Sequence, residues 1–327
     1  MNGLNLLNGH LEKLKTLCND AGYKKNKAKV LMDNNARSTF FHLEALCRIY
    51  RADFNKKEFN KLYQQFKSFE DVLGDIDHAE HSLQLFGKVK GFPVEIKREL
   101  TIKKNIAIAN FKTLLDSTSF DVEYLTTVVA EIENYNWPNE LQQQKHFIKF
   151  FMDELSEMND AYTKGEYNLA LMEEGVHELR RDMRWLSIYA VVCQGMLQLR
   201  AVKNIYPGLD SYCTQAIMQS PYNQFPKPEK GAFSFTVDAP DYYALSWIIY
   251  FVGQVKDDGL AQEAFKEAKK LSANKSYNLE KGFWKILPQP GEAYDIVQNA
   301  CDDIFIKHRI LKRLKRSLAQ ALNTIKA

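Results

Sequence analysis

Apolar residues recur at helical spacing along almost the whole chain. Leu4, Leu7, Leu11, Leu14 and Cys18 share one face of an amphipathic helix near the N-terminus. The same periodicity predicts helices over 35–53, 55–86, 92–116, 119–134, 139–162, 167–204, 209–219, 240–256, 258–272 and 291–325. Turn residues separate these runs: Gly91-Phe92-Pro93, Trp137-Pro138-Asn139, Tyr206-Pro207-Gly208 and Pro288-Gln289-Pro290-Gly291. Pro138 suits a first helical turn. One stretch breaks the pattern: SPYNQFPKPEKGAFSFTVDAP, residues 220–240, carries four prolines and no helical period, so it reads as a long loop. No strand pairs stand out. The expectation is an all-α protein of two antiparallel bundles joined by short connectors, dividing near 163–166 into halves 1–165 and 166–327.

Composition supports a large helical core. The 327 residues are 45% hydrophobic and 26% charged, and only 15 are glycine and 9 proline. The net charge of +3 predicts no general coating of nucleic acid, so any polyanion reading rests on where charge sits. Five cysteines (18, 47, 193, 213 and 301) lie far apart with no CxxC, which suits reduced thiols. YYALSWIIYFVG (242–253) is too short to cross a bilayer and reads as a buried helix. The N-terminal MNGLNLLNGHLEKLK lacks the pattern of a secretory signal. Together these features predict a cytoplasmic protein with no membrane partner.

Charge is unevenly divided. Between Asp153 and Glu174 seven acids oppose Lys164 alone. Basic residues cluster at Lys24/Lys25/Lys27/Lys29, Lys97/Arg98/Lys103/Lys104, Arg180/Arg181/Arg184 and in the run from Lys307 to Arg316. No acid follows Asp303. On a helical projection His177, Arg180, Arg181 and Arg184 fall within an arc of roughly 100°. Val176, Leu179, Met183, Leu186 and Ala190 take the opposite side. Near the C-terminus Arg309, Lys312, Arg313 and Arg316 share a side, while Ile310, Leu314, Leu318, Leu322 and Ile325 spread over another. Guanidinium rows of this kind suit phosphate oxygens, because each fork is permanently charged and planar. The competing reading is a solvated face whose arginines pair with neighbouring acids such as Glu173 and Glu178.

HELRRDMRWL resembles the signature of the CHAD domain, the conserved-histidine α-helical domain, which reads H-x-L-R-[KR]-x-x-R-x-L. His177, Leu179, Arg180, Arg181, Arg184 and Leu186 occupy those places. The family's first half repeats a histidine–arginine helix and a helix ending in L-G-x-x-x-D. Here FHLEALCRIYR (41–51) and FNKLYQQFKSFEDVLGDIDHAEH (59–81) stand at those places. The resemblance implies two four-helix bundles related by a pseudo-twofold axis, with basic helices lining a groove that binds inorganic polyphosphate. The first half departs from the pattern: Ala45 and Ile49 replace the arginines expected after the histidine, so His42 reads as core. Arg48 and Arg51 are the candidates left on that helix.

Other chemistry is less well supported. Asp75-x-x-His78 and Glu174-x-x-His177 have the carboxylate–histidine spacing of di-iron bundles, and Asp77 and His81 lie beside the first pair. That makes Asp75, His78 and His81 the metal candidates, without the further inward carboxylates a di-metal site needs. No nucleophile elbow, P-loop or dinucleotide fingerprint occurs, so no cofactor and no catalytic residue is expected. Tyr212, Tyr222, Phe225, Phe233 and Phe235 around the loop read as a satellite core, and with Lys227 and Lys230 as a base-stacking alternative. The leading expectation is a non-enzymatic binder of inorganic polyphosphate, with nucleic acid a weak competitor. The ligand set is His177, Arg180, Arg181, Arg184, Arg309, Lys312, Arg313 and Arg316, then Arg48 and Arg51. The alternatives are a scaffold recruiting a protein through 220–240 and the acidic 153–174 region, and a metal-dependent enzyme.

Overall fold

A computed structural model describes residues 2–22, 27–228, 230, 232–273, 276 and 290–326. Lys24 and Lys25 of the first basic cluster lie outside the described residues. The fold is mainly helical: α1 (Gly3–Gly22), α2 (Lys27–Asp33), α3 (Ala36–Arg51), α4 (Lys56–Gly87), α5 (Val94–Ser117), α6 (Val122–Glu133), α7 (Glu140–Thr163), α8 (Glu178–Val192), α9 (Gln215–Met218), α10 (Ala239–Leu271), α11 (Pro290–Cys301) and α12 (Ile310–Lys326). Helices α3 to α7 fall within a few residues of the ranges the periodicity predicts. Among the described residues no helix is long and apolar enough to cross a membrane.

The chain forms two compact units. The amino-terminal unit is Gly3–Trp137 with Asp257–Pro288. The carboxy-terminal unit is Met1–Asn2, Pro138–Lys256 and Gln289–Ala327. The division falls at the Trp137-Pro138 break, so the predicted cut at 163–166 lies inside one unit. Helix α7 belongs with the later elements because its buried stripe, Phe147, Phe151, Leu155 and Met158, packs along α12. Asn139 and Gln142 form a capping box there, which leaves Pro138 just outside the helix instead of in its first turn.

In the amino-terminal unit α3 lies along α4 and α4 along α5. Phe40, Phe69 and Phe120 interlock with centroids 5.0 and 4.6 Å apart, and Tyr50, Phe59 and Trp137 form a second cluster at 5.1–5.7 Å. A third core joins Phe86, Ile96 and Leu100 to Ala261, Ala264, Phe265 and Ala268 of α10. Residues 240–256 and 258–272, predicted as separate helices, form this one element.

The carboxy-terminal unit departs further from the expectation. The predicted 167–204 helix is a π-helical turn (Met172–His177), then α8, then a strand, β1 (Leu197–Arg200). Gln194 and Gly195 adopt positive φ, which ends the helix. β1 pairs in parallel with β2 (Phe235–Asp238), which occupies the end of the predicted loop. Parallel strands require a long crossover, and the 201–234 segment with short 3₁₀ turns supplies it. Arg200 and Asp238 close the register as an ion pair at 2.6 Å. The predicted 209–219 helix shrinks to a 3₁₀ turn and α9. The 291–325 helix is interrupted by a second π-helical turn, Asp302–Lys307, and by Arg309 at φ 54°.

Candidate functional site

The two basic helices of the carboxy-terminal unit, α8 and α12, begin alike. Each follows a π-helical turn with two acids at its start, and each turn is followed or closed by a histidine held by one of those acids. Glu173 Oε1 lies 3.0 Å from His177 Nδ1. Asp303 Oδ2 lies 3.3 Å from His308 Nε2. Each arrangement depends on a glycine. A Cβ on Gly175 would sit 1.9 Å from the Asn168 carbonyl oxygen, and one on Gly208 (φ 88°) would sit 2.9 Å from His308 Cε1. π-Helical turns concentrate at functional sites.

The π-helical turn and helix α8 bury the predicted face: Val176, Leu179, Met183, Leu186 and Ala190 are all at most 1% exposed. Its cations are largely compensated close by. Arg181 pairs with Glu178 one turn earlier, and His177 is held by Glu173. The Arg180 guanidinium lies against Gly253 of α10, where an added Cβ would be 3.4 Å from Nε. Arg184 is half-buried. Asp182 accepts a hydrogen bond from Tyr167 Oη at 2.8 Å. Residues 172–186 hold four acids against three arginines, a balance of −1 with histidine neutral.

Helix α12 buries Ile310, Leu311, Leu314 and Leu318, while Leu322 and Ile325 are only half-buried. Arg313 turns inward. Its Nε donates to Asp241 Oδ1 at 2.8 Å, and its guanidinium stacks over Tyr206 at 4.7 Å. The Asp241 side chain is 2% exposed, and burial raises its carboxyl above the ordinary value despite the Arg313 charge. Arg309, Lys312 and Arg316 are exposed on another face and have no ion-pair partner among the described residues. The expected single row of four therefore splits into one structural arginine and three exposed cations. From 309 to 326 there are six Lys/Arg and no acid.

The His308 end is tightly held. Tyr212 Oη and Lys307 Nζ both donate to Asp303, and the imidazole is 4% exposed. Desolvation raises the Asp303 carboxyl, but the two hydrogen bonds and the His308 charge outweigh it and leave it below the ordinary aspartate value. Helical projection could not anticipate this network, because Tyr212 reaches it across a long connection.

The remaining candidates are dispersed. Arg48 and Arg51 sit on α3 in the amino-terminal unit. Arg51 stacks over Tyr63 at 4.0 Å, and Arg48 is half-buried. Ala45, Leu46 and Ile49 beside His42 are fully buried, while His42 itself is half-buried with its ring 4.8 Å from that of His10. Burial, then the nearby His42 and Lys13, hold His10 down at about 3. In the other basic clusters Lys103 pairs with Glu267, Lys104 with Glu80 and Lys29 with Asp33.

Asp77 pairs with Arg37, and among the described residues no group of three or more histidine, cysteine or acidic side chains is placed to hold a metal. Asp75 and His78 instead line a cavity, without His81. Around the 220–240 loop Phe225 packs on Tyr242, Phe233 on Phe235 and Tyr212 on Trp247, in keeping with a satellite core, while Tyr222 is 64% exposed. The five cysteines are unbridged, and Cys193 is buried, its thiol pushed up to about 12 by desolvation. No family model, curated protein or solved structure matches the chain.

Proposed function

We propose that the protein is a non-enzymatic, cytoplasmic polyanion-binding protein whose ligand is inorganic polyphosphate, as its resemblance to the CHAD domain implies. On this reading the helical fold is CHAD-like. The observation that carries the reading is the exposed face of α12: Arg309, Lys312 and Arg316 have no ion-pair partner among the described residues and no acid follows them. A linear polyanion asks for a run of cations and little shape discrimination, and counterion release supplies much of the driving force. Helix α8 contributes Arg180 and Arg184, with Arg181 and His177 drawn partly toward Glu178 and Glu173. Nucleic acid competes weakly through the same phosphate chemistry.

Titration of the full chain with medium-length polyphosphate at two salt concentrations tests the reading. Binding that weakens steeply with salt, and that weakens with Arg309→Gln/Lys312→Gln/Arg316→Gln, supports it. Binding unchanged in that variant removes α12 from the proposal.

A further inference from the structure

A cavity of about 240 Å³ opens in the amino-terminal unit between α4, α5 and the later part of α10. Three of its lining side chains are small, Ala79, Ala107 and Ala264, one from each helix, where longer side chains would fill the space. Asp75, itself an exposed residue, stands at the solvent side of its wall with no ion-pair or hydrogen-bond partner among the described residues. Partial desolvation, then the neighbouring Asp71, raises its carboxyl, and the charges of His78, Lys103 and Arg37 do not offset this. The nearest ammonium on the wall, Lys103, is committed to Glu267 at 2.6 Å. Ser82, also on the wall, is fully buried, and its Oγ has no hydrogen-bond partner among the described residues. A buried hydroxyl without a partner is uncommon and points to one supplied from outside. A carboxylate without an ion-pair partner, three small apolar side chains and an orphaned hydroxyl thus line one cavity.

We propose that this cavity binds a short aliphatic primary amine carrying a polar far end. The ammonium meets the Asp75 carboxylate, the alkyl stem covers the three alanines, and the polar end satisfies Ser82. Asp75 and Ser82 are seven residues apart on α4, about 10 Å along the helix axis. That span suits a chain of about five carbons. The site is separate from the basic helices, and nothing in it selects for phosphate.

The test is calorimetric or ligand-observed NMR titration of the full chain with 5-aminopentan-1-ol, alongside the uncharged pentane-1,5-diol and the anionic 5-hydroxypentanoate. The amine is expected to bind at least tenfold more tightly than either analogue. Asp75→Asn should weaken it at least tenfold, and Ala107→Leu, which fills the space, should abolish it. Arg309→Gln/Lys312→Gln/Arg316→Gln should leave it unchanged, which separates this site from polyphosphate binding. Equal binding of amine and diol, full affinity in Asp75→Asn, or no binding up to about 20 mM would each overturn the proposal.

Discussion

Helices α8 and α12 carry similar cationic sequences and similar starts, yet their charge is used differently. In α8, acids stand one helical turn from the cations: Glu178 takes Arg181, and Glu173 takes His177. In α12 the acids stop at Asp303, and the one neutralised arginine, Arg313, is held by Asp241 from another helix. A basic stripe is therefore not a binding surface by virtue of its cations alone. What counts is whether carboxylates lie within a turn, where pairing is local and exposed pairs contribute little to stability. On that criterion α12 offers the more available charge, although α8 bears the recognisable motif.

The contrast can be broken first at the glycines. Gly175→Ala should destabilise the fold by about 3 kcal/mol or more, because the new methyl group meets a backbone carbonyl that cannot yield. Gly208→Ala should cost less, about 1–2 kcal/mol, since its neighbour is a side chain and the penalty is mainly left-handed strain. Denaturant unfolding ranks the two, and the reverse order would mean the turn before α12 is the stiffer one.

Arg313→Ala should cost about 2–3 kcal/mol, because it leaves the Asp241 carboxylate buried and unpaired. Arg181→Ala should cost less than about 0.5 kcal/mol. Equal losses in chemical denaturation would erase the distinction between structural and exposed arginines.

For binding, Arg309→Gln/Lys312→Gln/Arg316→Gln should weaken polyphosphate at least tenfold and reduce the salt slope by about 2. Arg181→Gln should change affinity less than twofold. A larger loss from Arg181→Gln than from the triple variant would return the site to α8.

Asp303→Asn should destabilise at neutral pH by about 1–2 kcal/mol through its lost hydrogen bonds. Its carboxyl lies below the ordinary value in the folded state, so its contribution is present above the unfolded value and disappears as pH falls through the folded one. The difference between wild type and variant should therefore shrink below about pH 4. A constant difference down to pH 2 would show that the effect is packing and not charge. In the same denaturation measurement Arg309→Gly should relieve the left-handed backbone and stabilise by up to about 1 kcal/mol, while removing one cation.

Much of the fold was legible in apolar spacing. The face of α8 is buried as projected and that of α1 from Leu7 to Cys18, with Leu4 only half-buried, because an amphipathic stripe has one way to leave water. The parallel pairing of LQLR with FTVD was not legible, since four-residue strands 34 residues apart leave no periodic trace. Nor were the interruptions before α8 and α12, since a π-helical turn differs from an α-helical one in backbone pairing and not in residue type. Of the candidate site, the residue types and the acid-free C-terminal run were readable. The inward turn of Arg313 was not, because its partner lies 72 residues away on α10.

The sequence alone determined that the chain is helical, which faces are apolar and where cations concentrate, since these follow from spacing and composition. Only tertiary structure decided which cations stay available, which acid meets which histidine, and that three alanines leave a cavity beside Asp75. Those outcomes depend on distances between residues remote in the chain, and Coulomb and packing energies respond to such distances rather than to sequence order.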